Sequence, residues 1–116
     1  MMAVTLKEES LKPGLYKISL DGTLDAPGTM TIEDKFRDRI LSVGGRVIVD
    51  LANVDYMSSY GLRMFLVTAK NLNNAGGELH LAAPNDNVMQ IIKVAGYDSM
   101  FPVYETVDEA ILYLDQ

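Results

Sequence analysis

Residues 46–83 read RVIVDLANVDYMSSYGLRMFLVTAKNLNNAGGELHLAA, and this stretch decides the fold. Arg46–Leu51 is a nearly continuous β-branched run, the pattern of a strand covered on both faces. Tyr60–Asn74 switches to a helical period, with Leu62, Phe65, Leu66, Ala69 and Leu72 on one stripe. Gly76-Gly77 ends that helix, and Glu78–Ala83 returns to a strand. Short connections between a strand, a helix and a second strand favour a right-handed crossover and parallel pairing.

Toward the C-terminus the alternation continues. Pro84 to Asn87 starts a helix carrying Val88, Ile91, Ile92 and Ala95 up to Gly96, and Met100–Tyr104 is a short strand. Thr106-Val107-Asp108-Glu109 is a capping box for a last helix that turns Val107, Ala110, Ile111 and Leu114 inward. Toward the N-terminus, Ile32, Phe36, Ile40 and Leu41 recur every three to four residues within Thr29–Val43, and Gly44-Gly45 closes that helix. Ala3–Glu9 and Leu15–Leu20 alternate in hydropathy on either side of the turn residues Leu11-Lys12-Pro13-Gly14, which makes a hairpin. The expectation is a single α/β domain over residues 1–116, with a mixed sheet of about five strands and about four helices.

Composition narrows the chemistry. The chain has 116 residues and is 48% hydrophobic, enough for one core. It has no cysteine, which removes thiol catalysis, thiolate metal sites and disulfides. A single histidine, His80, rules out a multi-histidine metal centre. Sixteen acidic residues against ten basic give a net charge of −6, and no basic cluster interrupts the acidity, which argues against a nucleic-acid partner. No apolar run reaches the roughly 18 residues that a membrane helix needs, and Met1–Glu9 lacks the layout of a signal peptide. The expectation is a cytoplasmic domain without membrane insertion.

In open α/β sheets, function concentrates beyond the carboxyl ends of the strands. Two connections stand there, Gly22–Pro27 and Ala52–Gly61. The second ends in Ser58-Ser59 ahead of a helix, where either hydroxyl can serve as an N-cap and where free amides favour a phosphate. A hydrolase elbow needs glycine two residues before its serine, and Met57 stands there instead. No glycine-rich phosphate loop is present. Asp25, Asp50 and Asp55 are the carboxylates available to a cation, but Asp50 ends an apolar strand and suits a backbone bond equally well. Neither metal nor cofactor is expected.

Val47-Ile48-Val49-Asp50-Leu51, Val54-Asp55-Tyr56-Met57-Ser58-Ser59-Tyr60-Gly61-Leu62 and Ala75-Gly76-Gly77-Glu78-Leu79 together resemble the STAS domain, typified by bacterial anti-sigma factor antagonists. Gly22-Thr23-Leu24-Asp25 resembles the family's Gly-x-Leu-Asp turn. Ile91–Tyr97, the strand at Phe101 and the Thr106–Ala110 box match its C-terminal third, so the resemblance covers the chain with its elements in order. In that family a serine or threonine in an Asp-Ser-Ser/Thr-Gly-Leu stretch is phosphorylated by a kinase that is also the anti-sigma factor. Aligned on Met57 and Gly61, Ser59 falls on the acceptor, Ser58 on the aspartate and Tyr60 on the second hydroxyl residue. With the aspartate absent, Ser58 stays open as the alternative acceptor. Arg63 stands where many members have a small residue.

The resemblance implies a non-enzymatic partner switch: an anti-sigma factor antagonist that binds an anti-sigma serine protein kinase, releases its sigma factor or other client, and is reset by a serine phosphatase. The partner surface is expected to use Asp25, Asp55, Tyr56, Met57, Tyr60, Gly61, Arg63, Met64, Val67 and Lys70, extended by Asn71, on a monomer or weak dimer. The alternatives are a STAS-type subunit of a lipid-transport ATPase and a stressosome-type scaffold. A transporter tail is not expected, since the chain opens on Met1-Met2 and carries no membrane segment.

Overall fold

The computed structural model describes residues 4–97 and 100–115. Its five strands, β1 (Thr5–Lys12), β2 (Leu15–Leu24), β3 (Arg46–Met57), β4 (Glu78–Ala82) and β5 (Val103–Tyr104), lie side by side in chain order. β1 and β2 pair antiparallel; the remaining pairs are parallel. Four helices complete the chain: α1 (Ala26–Val43), α2 (Ser59–Asn74), α3 (Asp86–Val94) and α4 (Val107–Leu114). The mixed α/β architecture is the expected one.

The sheet has two unequal cores. On one face Ile18, Leu20, Val47, Val49, Leu51, Leu79 and Leu81 meet Phe36 and Ile40 of α1, Phe65 and Leu72 of α2, and Val88 and Ile92 of α3. On the other, Leu15, Ile48 and Ala82 meet Ala110 and Leu114 of α4, with Tyr104 beside them and Leu11, Val107 and Ile111 packed around them. The N-cap half of the expected capping box forms, with Thr106 Oγ1 accepting from Glu109 N–H at 3.0 Å. Cations close the far end of α4. Arg46 donates to the Leu114 carbonyl at 2.7 Å, and Lys12, hydrogen-bonded to Asp115, holds that carboxyl below its ordinary range.

Several boundaries differ from the sequence reading, each for a local reason. The first strand runs later than Ala3–Glu9, reaching Lys12 through a bulge between Ser10 and Lys12; Ala3 lies outside the described residues. β2 continues past Leu20 to Leu24 and β3 past Leu51 to Met57, so half of the first expected connection and most of the second is strand. The register of β3 against β2 shifts twice, between Ser19 and Asp21 and between Gly22 and Thr23, each time inserting one residue in β3. Each bulge slips the alternation by one. Burial therefore falls on Leu51, Val54 and Met57, three apart instead of two.

α1 starts at Ala26 rather than Thr29, because Asp25 caps it and Pro27 fits its first turn. α3 likewise begins after an Asn85 cap, with Val88 N–H donating to Asn85 Oδ1 at 2.8 Å. β4 stops at Ala82, before the positive φ of Ala83. β5 holds only Val103 and Tyr104 of the expected five residues.

Candidate functional site

The carboxyl ends of β2 and β3 bring the two sequence-singled stretches together. Leu24 and Met57 are register partners at the last rung, directly before α1 and α2. Ser58 N–H donates to the Leu24 carbonyl at 2.8 Å, and Ser58 Oγ donates to the same oxygen at 2.9 Å. Ser58 is the N-cap of α2 by position, yet its hydroxyl accepts nothing from the helix. The expected N-cap hydrogen bond is therefore absent at Ser58, and the first-turn amides of α2 keep no side-chain partner there.

Ser59 is the first residue of α2 and is exposed, whereas Ser58 is half-buried. The two serines thus divide the work. One fastens the helix to β2, and the other presents a free hydroxyl at the positive end of a 16-residue helix.

The acidic residues around them are held in place. Asp25 Oδ1 accepts from Gly28 N–H at 2.7 Å. Asp55 Oδ1 accepts from Thr23 Oγ1 at 2.7 Å. Asp50 takes the backbone alternative, accepting from Ala52 N–H at 2.9 Å. Among the described residues no group of three or more histidine, cysteine or acidic side chains converges on one point. Asn85 braces the mouth from α3, donating to the carbonyls of Val54 at 3.3 Å and Asp55 at 3.2 Å. Sequence reasoning did not single out Thr23 or Asn85. The signal for Asn85 was present as a capping residue ahead of Val88, but its second use of the amide nitrogen is a tertiary contact.

The ten residues expected on the partner surface separate into two groups. Asp55, Tyr56, Tyr60, Arg63, Val67 and Lys70 are exposed, as is Asn71, and Asp25 is half-exposed. Met57, Gly61 and Met64 are buried, which corrects their expected place on the surface. Met57 faces the core at 0% exposure. A Cβ on Gly61 would lie 2.8 Å from Met57 Cγ and 3.1 Å from Leu24 Cβ, so this glycine lets α2 seat on the strand ends. Met64, at 4% exposure, forms the floor of a groove of about 390 Å³ between α1 and α2. Met30, Glu33 and Arg37 wall it on one side and Tyr60, Arg63 and Val67 on the other. On the opposite flank of α2, Ser59 and Leu62 meet Ile91 and Val94 of α3 around an apolar hollow of about 300 Å³.

His80 is placed away from both serines. Its ring is buried on the α4 face, with Nδ1 3.2 Å from the Tyr104 hydroxyl and Nε2 3.0 Å from Glu78 Oε1. It pairs in register with Ile48, nine residues before Met57 on β3, which is about 30 Å along a strand. Burial, with the nearby Tyr113 and Glu78 adding to it, raises the Tyr104 hydroxyl above its ordinary pKa.

Comparison with known proteins bears on this arrangement. The sequence pattern of the STAS domain matches residues 9–110. A Bordetella bronchiseptica protein, BtrV, named as a candidate anti-sigma factor antagonist, is 31% identical over 97 residues, 84% of each chain. The crystal structure of an anti-sigma factor antagonist from Mycobacterium paratuberculosis superposes with a TM-score of 0.85 at 23% identity, covering 98% of this chain and 96% of that one. The Bacillus cell fate determinant SpoIIAA in its phosphorylated form superposes at 0.69 with 21% identity, covering 95% and 99%. Among the described residues no helix is long and apolar enough to cross a membrane.

Proposed function

The chain belongs to the STAS domain family, and from that premise we propose that it is an anti-sigma factor antagonist controlled by phosphorylation of Ser59. The unmodified protein binds an anti-sigma serine protein kinase in the cytoplasm and frees the client of that kinase. The kinase then transfers the terminal phosphoryl group of a nucleoside triphosphate. A bond forms between Ser59 Oγ and phosphorus, the bond to the diphosphate breaks, and the serine proton leaves to a base on the kinase. A phosphatase reverses the state by hydrolysis. The protein itself catalyses neither step.

The observation that carries this reading is the contrast between the serines. Ser59 is exposed at the start of α2, while both donors of Ser58 are spent on the Leu24 carbonyl. A phosphoryl group on Ser59 adds roughly −1.5 to −2 charge and considerable bulk at the start of the helix that presents Tyr60, Arg63 and Val67. The description of BtrV as an antagonist and of SpoIIAA as existing in a phosphorylated form supports the same function.

The test is a kinase reaction with the cognate anti-sigma partner, read by phosphopeptide mapping. Ser59→Ala should lose the label and keep partner binding; Ser58→Ala should keep the label. Label that persists in Ser59→Ala and vanishes in Ser58→Ala moves the acceptor by one residue. A native protein that is never labelled removes the switch and favours a constitutive structural subunit.

The same surface gives a second expectation. Tyr60 is 59% exposed beside the acceptor. Tyr60→Ala should weaken the partner complex by about 1–2 kcal/mol, the range typical of an aromatic anchor near an interface centre. The thermal melt of the free protein should stay within a degree or two of the native value, since little buried area is lost. Calorimetric titration and a melt on the same sample separate the two effects. Unchanged affinity would take Tyr60 off the interface.

A further inference from the structure

We infer that Arg63 is the counter-charge for a phosphate on Ser59, in an ion pair one helical turn long that exists only in the modified protein. The inference rests on the reading of Ser59 as the phosphoacceptor. Ser59 opens α2 and Arg63 follows four residues later, so the two are neighbours one turn apart, Ser59 bordering the α3 hollow and Arg63 the α1 groove. Cα–Cβ bonds in a helix tilt toward its N-terminus, which leans the Arg63 side chain back over the turn that starts at Ser59. Both residues are exposed.

Among the described residues Arg63 makes no ion pair, whereas Arg37, across the groove, is engaged by Asp34 at 3.2 Å and Asp38 at 3.6 Å. Lys70 lies three turns from Ser59, beyond side-chain reach along the helix. The surroundings otherwise repel a dianion. Asp25 and Asp55 flank the mouth, Glu33 stands on the opposite groove wall, and the chain carries a net charge of −6. A guanidinium is the side chain best matched to a phosphate, because its planar fork donates two parallel hydrogen bonds.

The pair has a structural consequence. In the unmodified protein Arg63 belongs to the wall of the α1–α2 groove with Tyr60 and Val67. Drawn to the phosphate, it leaves that wall, so modification alters the groove as well as the serine. A partner reading the groove senses a change one turn away from the modified atom.

Genetically encoded phosphoserine at position 59 tests the pair without any kinase. The readout is a phosphorus NMR titration of the phosphate, whose second ionisation in a free phosphoserine lies near pH ~6. Arg63→Gln should raise the titration midpoint by about 0.2–0.4 of a pH unit, the size that an exposed one-turn pair gives for the one charge gained in that ionisation. Arg63→Lys should recover part of the shift, Lys70→Gln should leave it unchanged, and about 1 M salt should abolish the difference. The same midpoint with and without Arg63, or a midpoint moved instead by Lys93→Gln, at the exposed lysine in the last turn of α3, overturns the assignment. Because the phosphate is installed, a kinase that ignores Ser59 removes the switch and leaves this titration standing. A midpoint unmoved by Arg63→Gln beside normal labelling removes the pair alone.

Discussion

Gly28→Ala should destabilise the fold by about 2–4 kcal/mol, although alanine is the better helix former by roughly 1 kcal/mol in an ordinary helix interior. Gly28 lies in the first turn of α1. A Cβ there would stand 2.0 Å from the Thr23 carbonyl oxygen and 2.9 Å from Asp25 Oδ1. Neither neighbour is free to move. Thr23 is held in the β2–β3 ladder opposite Tyr56, and its hydroxyl bonds Asp55. Asp25 is fixed by the Gly28 amide itself. Relief therefore means lifting α1 off the end of β2, with loss of the Asp25 cap at about 1 kcal/mol and strain of about 1–3 kcal/mol. Urea unfolding should show a lower midpoint at an unchanged slope. A stabilised variant would mean that α1 begins farther from β2. Because Leu24 at the end of β2 also receives both donors of Ser58, partner binding should weaken along with the fold.

The α/β plan was legible because β-branched runs, helical stripes and paired glycines alternate along the chain in order. The length of β2 and β3 was not. A test for alternation stops at Leu51, since the two bulges in β3 turn its period from two to three. Read with that period, Leu51, Val54 and Met57 become one buried row, and the expected loop becomes the strand that delivers Ser58 to Leu24. Bulges are set by how one strand pairs with its neighbour, which no single segment records. The N-terminus of α1 was missed for a different reason. Ala26, Pro27 and Gly28 carry no core side chain, so the apolar stripe begins at Thr29 while the helix begins at its cap.

At the site, exposure was read well from one stripe of α2 and poorly from the second. Leu62, Phe65, Ala69 and Leu72 are buried as the helical period requires. Leu66, placed on the same stripe, is only half-buried. Gly61, Met64 and Thr68 form a further buried row at three-to-four spacing. Met64 and Thr68 lie at the groove with α1. That row exists because a second helix lies alongside, and periodicity within one helix does not announce its neighbour. Met64 was therefore read as surface when it is the groove floor. The division of labour between Ser58 and Ser59 was equally hidden, because it depends on the Leu24 carbonyl, 34 residues earlier in the chain.

Phe65→Ala should be the most costly side-chain truncation on α2, at about 3–5 kcal/mol. Phe65 is fully buried and meets Phe36 of α1 edge to ring, with centroids 5.4 Å apart and planes at 65°. The loss combines transferred apolar area with a cavity that two helices and the sheet cannot readily collapse, and forfeits an aromatic pair worth about 0.5–1.5 kcal/mol. A domain with the usual 5–15 kcal/mol of stability loses a large share of it. Tyr60, five residues earlier on the same helix, gives the opposite pattern: the melt stays and the affinity falls. If the surface and the scaffold are separate, Phe65→Ala should keep near-native affinity at low temperature, once binding is corrected for the unfolded fraction, and lose it only as the protein melts. If corrected affinity falls as well, the spacing of α1 and α2 is itself read by the partner, because Phe65 and Phe36 join the two helices whose exposed sides wall the groove.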